Sequence, residues 1–322
     1  MTTLQWGDRE IPFAISGAEV VRSVADDSPR VDLATEARAL AEEAGADGRI
    51  LIVVPDRTRA FPLARVLPSL VEALLARGAA PERVTIVLAS GTHVAADADL
   101  DPSHLGRLPA GVCVVRHDPD GAMARCGVTP AGTPVEVHPA LLEADRVLAL
   151  GGTAFHYFAG FGGGGKMLFP GLGARAAVAA NHRRSLAPWP PGGLAAGVEP
   201  GRLDGNPVAM DLRDVHALLP PARHLTVWGS DGGFCGERWT EVEAFARLCD
   251  RYARGRRVGA PHAAEVVIAS CGGHPKDLDV VQAHKALFHA ARYARDGAQL
   301  VLLAACAEGI GSPTLARWLA HR

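Results

Sequence analysis

Seven short apolar runs, several of them β-branched, punctuate the chain at 50–54, 84–88, 112–115, 147–150, 225–228, 266–269 and 300–303. Several are apolar at nearly every position instead of every second one, which predicts strands buried on both faces, as in a parallel sheet. Between some of them, over 62–77 and 279–295, apolar positions recur at helical spacing. Strand alternating with helix predicts an α/β fold with parallel or mixed sheets flanked by helices. Ligands of open sheets bind beyond the carboxyl ends of the strands. The polar motifs of this chain stand there: PDRTR from Pro55, ASGTH from Ala89, GGTAFH after 147–150 and SCGGHPKD after 266–269.

At 322 residues the chain exceeds the usual size of one core and predicts two domains. A boundary is expected near 255–261, where an arginine-rich helix end gives way to a new strand, so that 1–258 forms a cofactor-binding domain and 259–322 a smaller α/β domain. The site is then expected in the cleft between them. The Pro- and Gly-rich stretch 186–205 reads as a surface excursion. A net charge of −2 with 21% charged and 48% hydrophobic residues describes an ordinary globular protein, without the polybasic surface that nucleic acid or an anionic membrane requires. The N-terminus has no signal-peptide pattern and no apolar run reaches about eighteen residues, so a cytoplasmic protein is expected. The six cysteines form no CxxC pair and read as buried free thiols.

One stretch carries more information than the rest: HYFAGFGGGGKMLFPGLG, 156–173, with His182 downstream. Gly162, Gly163, Gly164 and Gly165 lack a Cβ, so their backbone can crowd N–H groups around an anion. Lys166 follows directly. Residues 160–166 satisfy GxxxxGK, but Met167 stands where a nucleotide-binding P-loop needs a hydroxyl for magnesium. Glycine runs are often mere loops; here five aromatics, Phe155, Tyr157, Phe158, Phe161 and Phe169, surround the run, which a linker would not require. The other candidates have ordinary readings too. Asp56 and Arg59 could pair across a turn, His93 could cap a helix, and Gln282 and Lys285, three apart, could form an exposed helix face. Their joint placement at strand ends is what argues for a site.

PDRTR, ASGTH, the GTAFHYFAGFGGGGKMLFPG block, NH at 181 and 182, GNP at 205–207, and GGHPKD followed by QAHK resemble the nickel-dependent lactate racemase family, from about residue 50 to the C-terminus. The resemblance implies a racemase or epimerase of a 2-hydroxy acid that uses a nickel-pincer nucleotide, a pyridinium-3-thioamide-5-thiocarboxylic acid mononucleotide carrying nickel, tethered to a lysine. Carried onto this chain, it makes Lys166 the tethering lysine and His182 the protein ligand to nickel. His93 and His156 become the acid/base pair, Arg59, Gln282 and Lys285 the holders of the substrate carboxylate, and Asp56 with the four glycines the contacts to the cofactor. It also implies a small 2-hydroxy acid as partner and transient contact with the proteins that build the cofactor.

Bottom-up chemistry agrees with this assignment. A C–H bond beside hydroxyl and carboxylate is a poor acid, so hydride transfer to an electrophilic ring carbon is the accessible route, with imidazoles moving the hydroxyl proton. No strand is followed by a dinucleotide fingerprint. The chain departs from the family at His274 and Val281, where aromatics are expected, which leaves room for an acid larger than lactate. Its C-terminus is expected to be short, implying a more open cleft or a lid from another subunit. A non-catalytic carrier or sensor of the cofactor is the alternative function, and a zinc hydrolase built on His93, His156 and His182 a third.

Overall fold

The computed structural model of the chain describes residues 2–20, 28–59, 61–93, 97–230, 233–254, 256, 259 and 263–321. It forms two compact units, one of Ala25–Arg57 and Phe61–Arg254, the other of Met1–Val24, Thr58–Ala60 and Gly255–Arg322.

The larger unit is built on a six-stranded sheet in the order Gly233–Trp239, Arg223–Ser230, Arg146–Gly152, Ile50–Pro55, Val84–Ala89, Cys113–Arg116. Every neighbouring pair is parallel except the first, a hairpin at the sheet's edge. The continuous apolar runs have a direct cause. Ile50, Ile52 and Val54 enter one core with Ile86, Leu88, Leu148 and Leu150, while Leu51 and Val53 enter a second with Val87, Val147 and Ala149. The Ile50–Pro55 strand thus buries both faces, which is why it is apolar at every position. The first core is closed by the helices Leu33–Ala44 and Leu63–Ala76, the second by Arg175–His182 and Pro207–Ala217. Asp32 starts the first helix by accepting the Thr35 amide at 2.8 Å. The cysteines are free as expected, but only Cys235 and Cys249 are buried; Cys113 is exposed because its strand is the sheet's other edge.

The smaller unit pairs Ala264–Ser270 in parallel with Ala294–Leu303 and carries the helix Val280–Ala290 between them. The helix expected over 279–295 is therefore shorter than its pattern. A single 3-10 turn, Ala291–Tyr293, ends it, and the strand begins at Ala294, six residues before the apolar run that announced it. The antiparallel strands Thr2–Trp6 and Arg9–Phe13 belong to this unit, where buried Asp277 accepts the amides of Gly7 at 2.7 Å and Ala305 at 3.1 Å. A division at 258 does not anticipate this return of the N-terminus. The boundary stretch 255–261 itself lies largely outside the described residues. Among the described residues no helix is long and apolar enough to cross a membrane.

The larger unit also holds a buried titratable group that ties its stability to pH. His224 lies flat on Trp239, ring centroids 3.8 Å apart and planes within 3°. Burial, with neighbouring His216 second, pushes its pKa down to about 3. The folded protein keeps this ring neutral where the unfolded chain, with an ordinary histidine pKa, binds a proton. Stability is therefore lost as pH falls below about 6.5, by about 1.4 kcal/mol per pH unit, down to about pH 3. His224→Phe keeps a flat ring on Trp239 and removes the titration. The stability lost between pH 7 and pH 5, read from urea midpoints, should shrink by about 2 kcal/mol in this variant; an unchanged loss would mean that His224 is not the group responsible.

Candidate functional site

The chain leaves the Ile50–Pro55 strand for Val84–Ala89 and Cys113–Arg116 on one side, then returns to Arg146–Gly152 on the other. The sheet's topological switch point therefore lies between Ile50–Pro55 and Arg146–Gly152, where crevices for ligands form beyond the strand ends. Asp56 follows the first of these strands. The second runs into a small hairpin, Phe155–His156 paired with Gly160–Phe161, and then into the 3-10 turn Gly164–Met167 that carries Lys166. From the strand next door, Val84–Ala89, the turn through Ser90 brings in His93, whose amide donates to the Ser90 carbonyl at 3.1 Å. Gly91 is held to the lysine segment by a hydrogen bond that its amide donates to the Gly171 carbonyl at 2.9 Å.

These residues converge. Nδ1 of His93 lies 3.2 Å from Oδ2 of Asp56, a carboxylate only 3% exposed, so the ring turns to Asp56 instead of capping a helix. Phe158 is the hub of the group, its ring meeting His156 edge-on at 4.4 Å and His182 at 4.8 Å, with Lys166 Nζ 5.8 Å from its centre. His182 ends the Arg175–His182 helix. Burial first, then electrostatic repulsion from the neighbouring Lys166 and His93 side chains, pushes its pKa down to about 3, so its ring is neutral and offers a nitrogen lone pair. An open pocket of about 400 Å3 adjoins it, lined among others by Thr92, Val178, Arg183 and Leu186.

Two asparagines explain the NH and GNP motifs. Asn206 caps the Pro207–Ala217 helix, its Oδ1 accepting from Val208 and Ala209 at 3.0 and 3.3 Å, while its Nδ2 donates to the Phe158 carbonyl at 3.0 Å. The cap thus also anchors the hub. Asn181, fully buried beside His182, donates to Asp211 at 2.7 Å and so pins the histidine's helix to the next one. Phe158, Asn206, Asn181 and Asp211 were not among the sequence-predicted site residues; the NH and GNP motifs were the available signal for two of them.

The glycines are required by packing. A Cβ on Gly163 would stand 1.7 Å from the Gly152 carbonyl oxygen, one on Gly164 2.5 Å from Phe245, and one on Gly165 2.1 Å from the ring of buried His216. Gly163 and Gly164 also have φ of 76° and 59°. At Gly162 the added atom meets only an ordinary contact, and there the amide already donates to the Ala154 carbonyl at 2.8 Å. Absence of side chains therefore lets this loop settle onto Gly152, Phe245 and His216, which fixes where Lys166 emerges.

Arg59, Gln282 and Lys285 belong to the smaller unit. Arg59 is exposed. Gln282 is buried, and its Oε1 accepts from Lys285 Nζ at 2.6 Å, so the pair is no exposed helix face. Among the described residues no group of three or more His, Cys, Asp or Glu side chains is placed to hold a metal ion. His93, His156 and His182 do not form the zinc site considered from the sequence.

Known proteins fit this arrangement. A family model of the lactate racemase N-terminal domain matches residues 21–190, and one of the lactate racemase C-terminal domain matches 260–322. The chain belongs to the lactate racemase family. It is 27% identical over 287 residues to a lactate racemase of Thermoanaerobacterium thermosaccharolyticum, covering 85% of this chain and 64% of that protein. To a lactate racemase of Lactiplantibacillus plantarum it is 26% identical over 278 residues, covering 84% and 63%. The chain thus spans just under two thirds of the length of these curated relatives. The solved lactate racemase apoprotein of T. thermosaccharolyticum superposes with a TM-score of 0.82 at 24% identity, over 99% of this chain and 78% of that one. A Thermotoga maritima protein gives 0.62 at 22%, over 83% and 69%. These two structural likenesses establish the two-domain α/β fold of this lactate racemase family member.

Proposed function

We propose that the chain is a racemase or epimerase of a 2-hydroxy acid that works by reversible hydride transfer on a lysine-tethered nickel-pincer nucleotide. The observation that carries this reading is the gathering of His156, Lys166 and His182 around Phe158 at the switch point, with the Asp56–His93 pair beside them. Family membership supports the racemase class.

The residues present fit the cofactor. A neutral, buried imidazole such as His182 suits nickel(II). Lys166 would hold the group covalently. When bound, the group supplies an electrophilic ring carbon that accepts hydride from the substrate's C2 and returns it. The protein's own residues do the rest. His93 and His156 handle the hydroxyl proton, and Arg59 presents a planar fork to the substrate carboxylate. Lys285, already oriented by Gln282, adds its ammonium to the same carboxylate.

The test is racemisation of single enantiomers of lactate and of larger 2-hydroxy acids by loaded protein, without added NAD. Substrate deuterated at C2 should keep its label in the product, because hydride held on carbon does not exchange with water. Rapid washout of the label would point to a carbanion and overturn the hydride reading.

A further inference from the structure

Residues 171–175 join the lysine turn to the helix that ends at His182, and three successive carbonyls of this arm are each taken from a different part of the chain. Gly171 accepts the Gly91 amide and Leu172 the His138 amide, both at 2.9 Å. Gly173 accepts from Nε2 of His117 at 3.0 Å. The first two donors are main-chain groups that substitution by anything but proline leaves in place. The third is a side chain. His117 directly follows Cys113–Arg116, the sheet's outer parallel strand, whose Arg116 pairs with Leu88. Its main chain therefore lies against the turn after Val84–Ala89: the His117 amide donates to the Leu88 carbonyl at 3.1 Å, and its carbonyl accepts from Ser90 Oγ at 3.3 Å. That turn carries His93. One residue thus grips the His93 turn with its backbone and the His182 arm with its ring.

The ring is buried, and burial, ahead of every other influence, holds its pKa below the ordinary histidine value. Near pH 7 it is neutral and has one N–H. A carbonyl only accepts, so that hydrogen sits on Nε2. Nδ1 has no hydrogen-bond partner among the described residues, which leaves the bond to Gly173 as the one that orients the ring. A Cβ on Gly173 would stand 2.7 Å from the Phe169 ring, so the accepting carbonyl is presented by a backbone already packed close. We propose that His117 is a positioning residue of this site: through Gly173 it fixes the helix ended by His182 against the turn that carries His93. Its effect on turnover rests on the racemase reading given above; its effect on the backbone does not. In that reading His93 exchanges a proton with a substrate that also meets the cofactor held at Lys166 and His182, so the turn and the arm must keep their spacing. Misplacement of reacting groups by about 1 Å can cost on the order of a hundredfold in rate.

Three measurements test this, two of them on unloaded protein. In wild type carrying 15N-labelled histidine, long-range proton–nitrogen spectra at neutral pH should show His117 as the Nε2–H form. His117→Leu fills the space without a donor, and exchange of the Gly91 amide, which spans the same joint, should quicken by at least about tenfold while the amides of the Leu63–Ala76 helix keep their rates. His117→Gln places an amide N–H near the position of Nε2 and should restore slow exchange. In loaded protein, kcat per nickel should fall at least about tenfold in His117→Leu, with KM within about threefold and the covalent mass increment intact, and should return to within about threefold of wild type in His117→Gln. An Nδ1–H or doubly protonated His117, a leucine variant with wild-type exchange at Gly91 or wild-type kcat, or a glutamine variant as impaired as the leucine one would overturn the proposal. Exchange that quickens equally in the Leu63–Ala76 helix would do the same, since the ring would then serve the whole fold and not this joint. Failure of the racemase reading shows differently: wild-type protein would take up no adduct and turn over no 2-hydroxy acid, while the spectra and exchange rates of unloaded protein still decide what His117 holds.

Discussion

Lys166→Ala should abolish the cofactor's attachment outright. Protein produced together with the enzymes that build the nickel-pincer nucleotide should show a covalent mass increment and an equimolar quantity of nickel, and the alanine variant should show neither. The expectation rests on where the amine emerges. The loop beneath it is seated on Gly152, Phe245 and His216, and the ammonium stands 5.8 Å over Phe158, close enough to His182 to depress that ring's pKa. Truncation removes the nucleophile without disturbing a packed residue, so circular dichroism and thermal unfolding should match wild type. His182→Ala should separate the two components, keeping the organic mass increment and losing the metal, because a coordination bond is removed while the covalent one stays. An unmodified wild-type mass after full co-production would sink the cofactor assignment; equal nickel in His182→Ala would remove that residue as the ligand.

Much of this arrangement is legible in the chain because it follows from local rules. A strand with two buried faces must be apolar throughout, and 50–54 and 147–150 announce themselves that way. The strand ends then locate Asp56, His93 and His156 without knowledge of which strands are neighbours. What the sequence hides is set by distant contacts. Nothing near Gly7 signals that its amide meets Asp277, so the N-terminal strands could not be assigned to the smaller unit. Alanines and arginines favour helix wherever they stand, which is why 291–295 looked like more helix until the strand pairing of Ala294 with Ala264 overrode propensity. The glycine run invites an anion-cradle reading, yet the space left by the missing side chains at Gly163, Gly164 and Gly165 is filled from below by residues far away in sequence. Phe158 reads as one more core aromatic and is instead the surface that three polar site residues share. Asp211, in the polar stretch DLRD, gives no local hint that it is buried.

That carboxylate should carry the largest stability effect in the protein. Asp211, 2% exposed, accepts hydrogen bonds from Thr129 at 2.6 Å, Thr133 at 2.7 Å and Asn181 at 2.7 Å, and pairs with Arg184 Nε at 3.1 Å. Burial alone would push the carboxyl pKa up; the three hydrogen bonds and the arginine outweigh it and hold the pKa below the usual range. A depressed carboxyl pKa contributes stability above the unfolded value, near 3.8, and the contribution is lost as pH falls through the folded one. Asp211→Ala leaves a cation and three donors facing a void and should cost about 3–5 kcal/mol at pH 7, read from urea midpoints. Asp211→Asn keeps the volume and some acceptor capacity but loses the charge, and should cost about 1.5–3 kcal/mol. The effect reaches the site because Asn181 and His182 are consecutive: once Asn181 loses its acceptor, the end of its helix is less firmly held. Loaded Asp211→Asn should therefore release nickel faster to a chelator than wild type while keeping its covalent increment. A loss of under about 1 kcal/mol in Asp211→Ala would show that water or rearranged partners satisfy the cluster, and that His182 is held in place by Phe158 and its own burial instead.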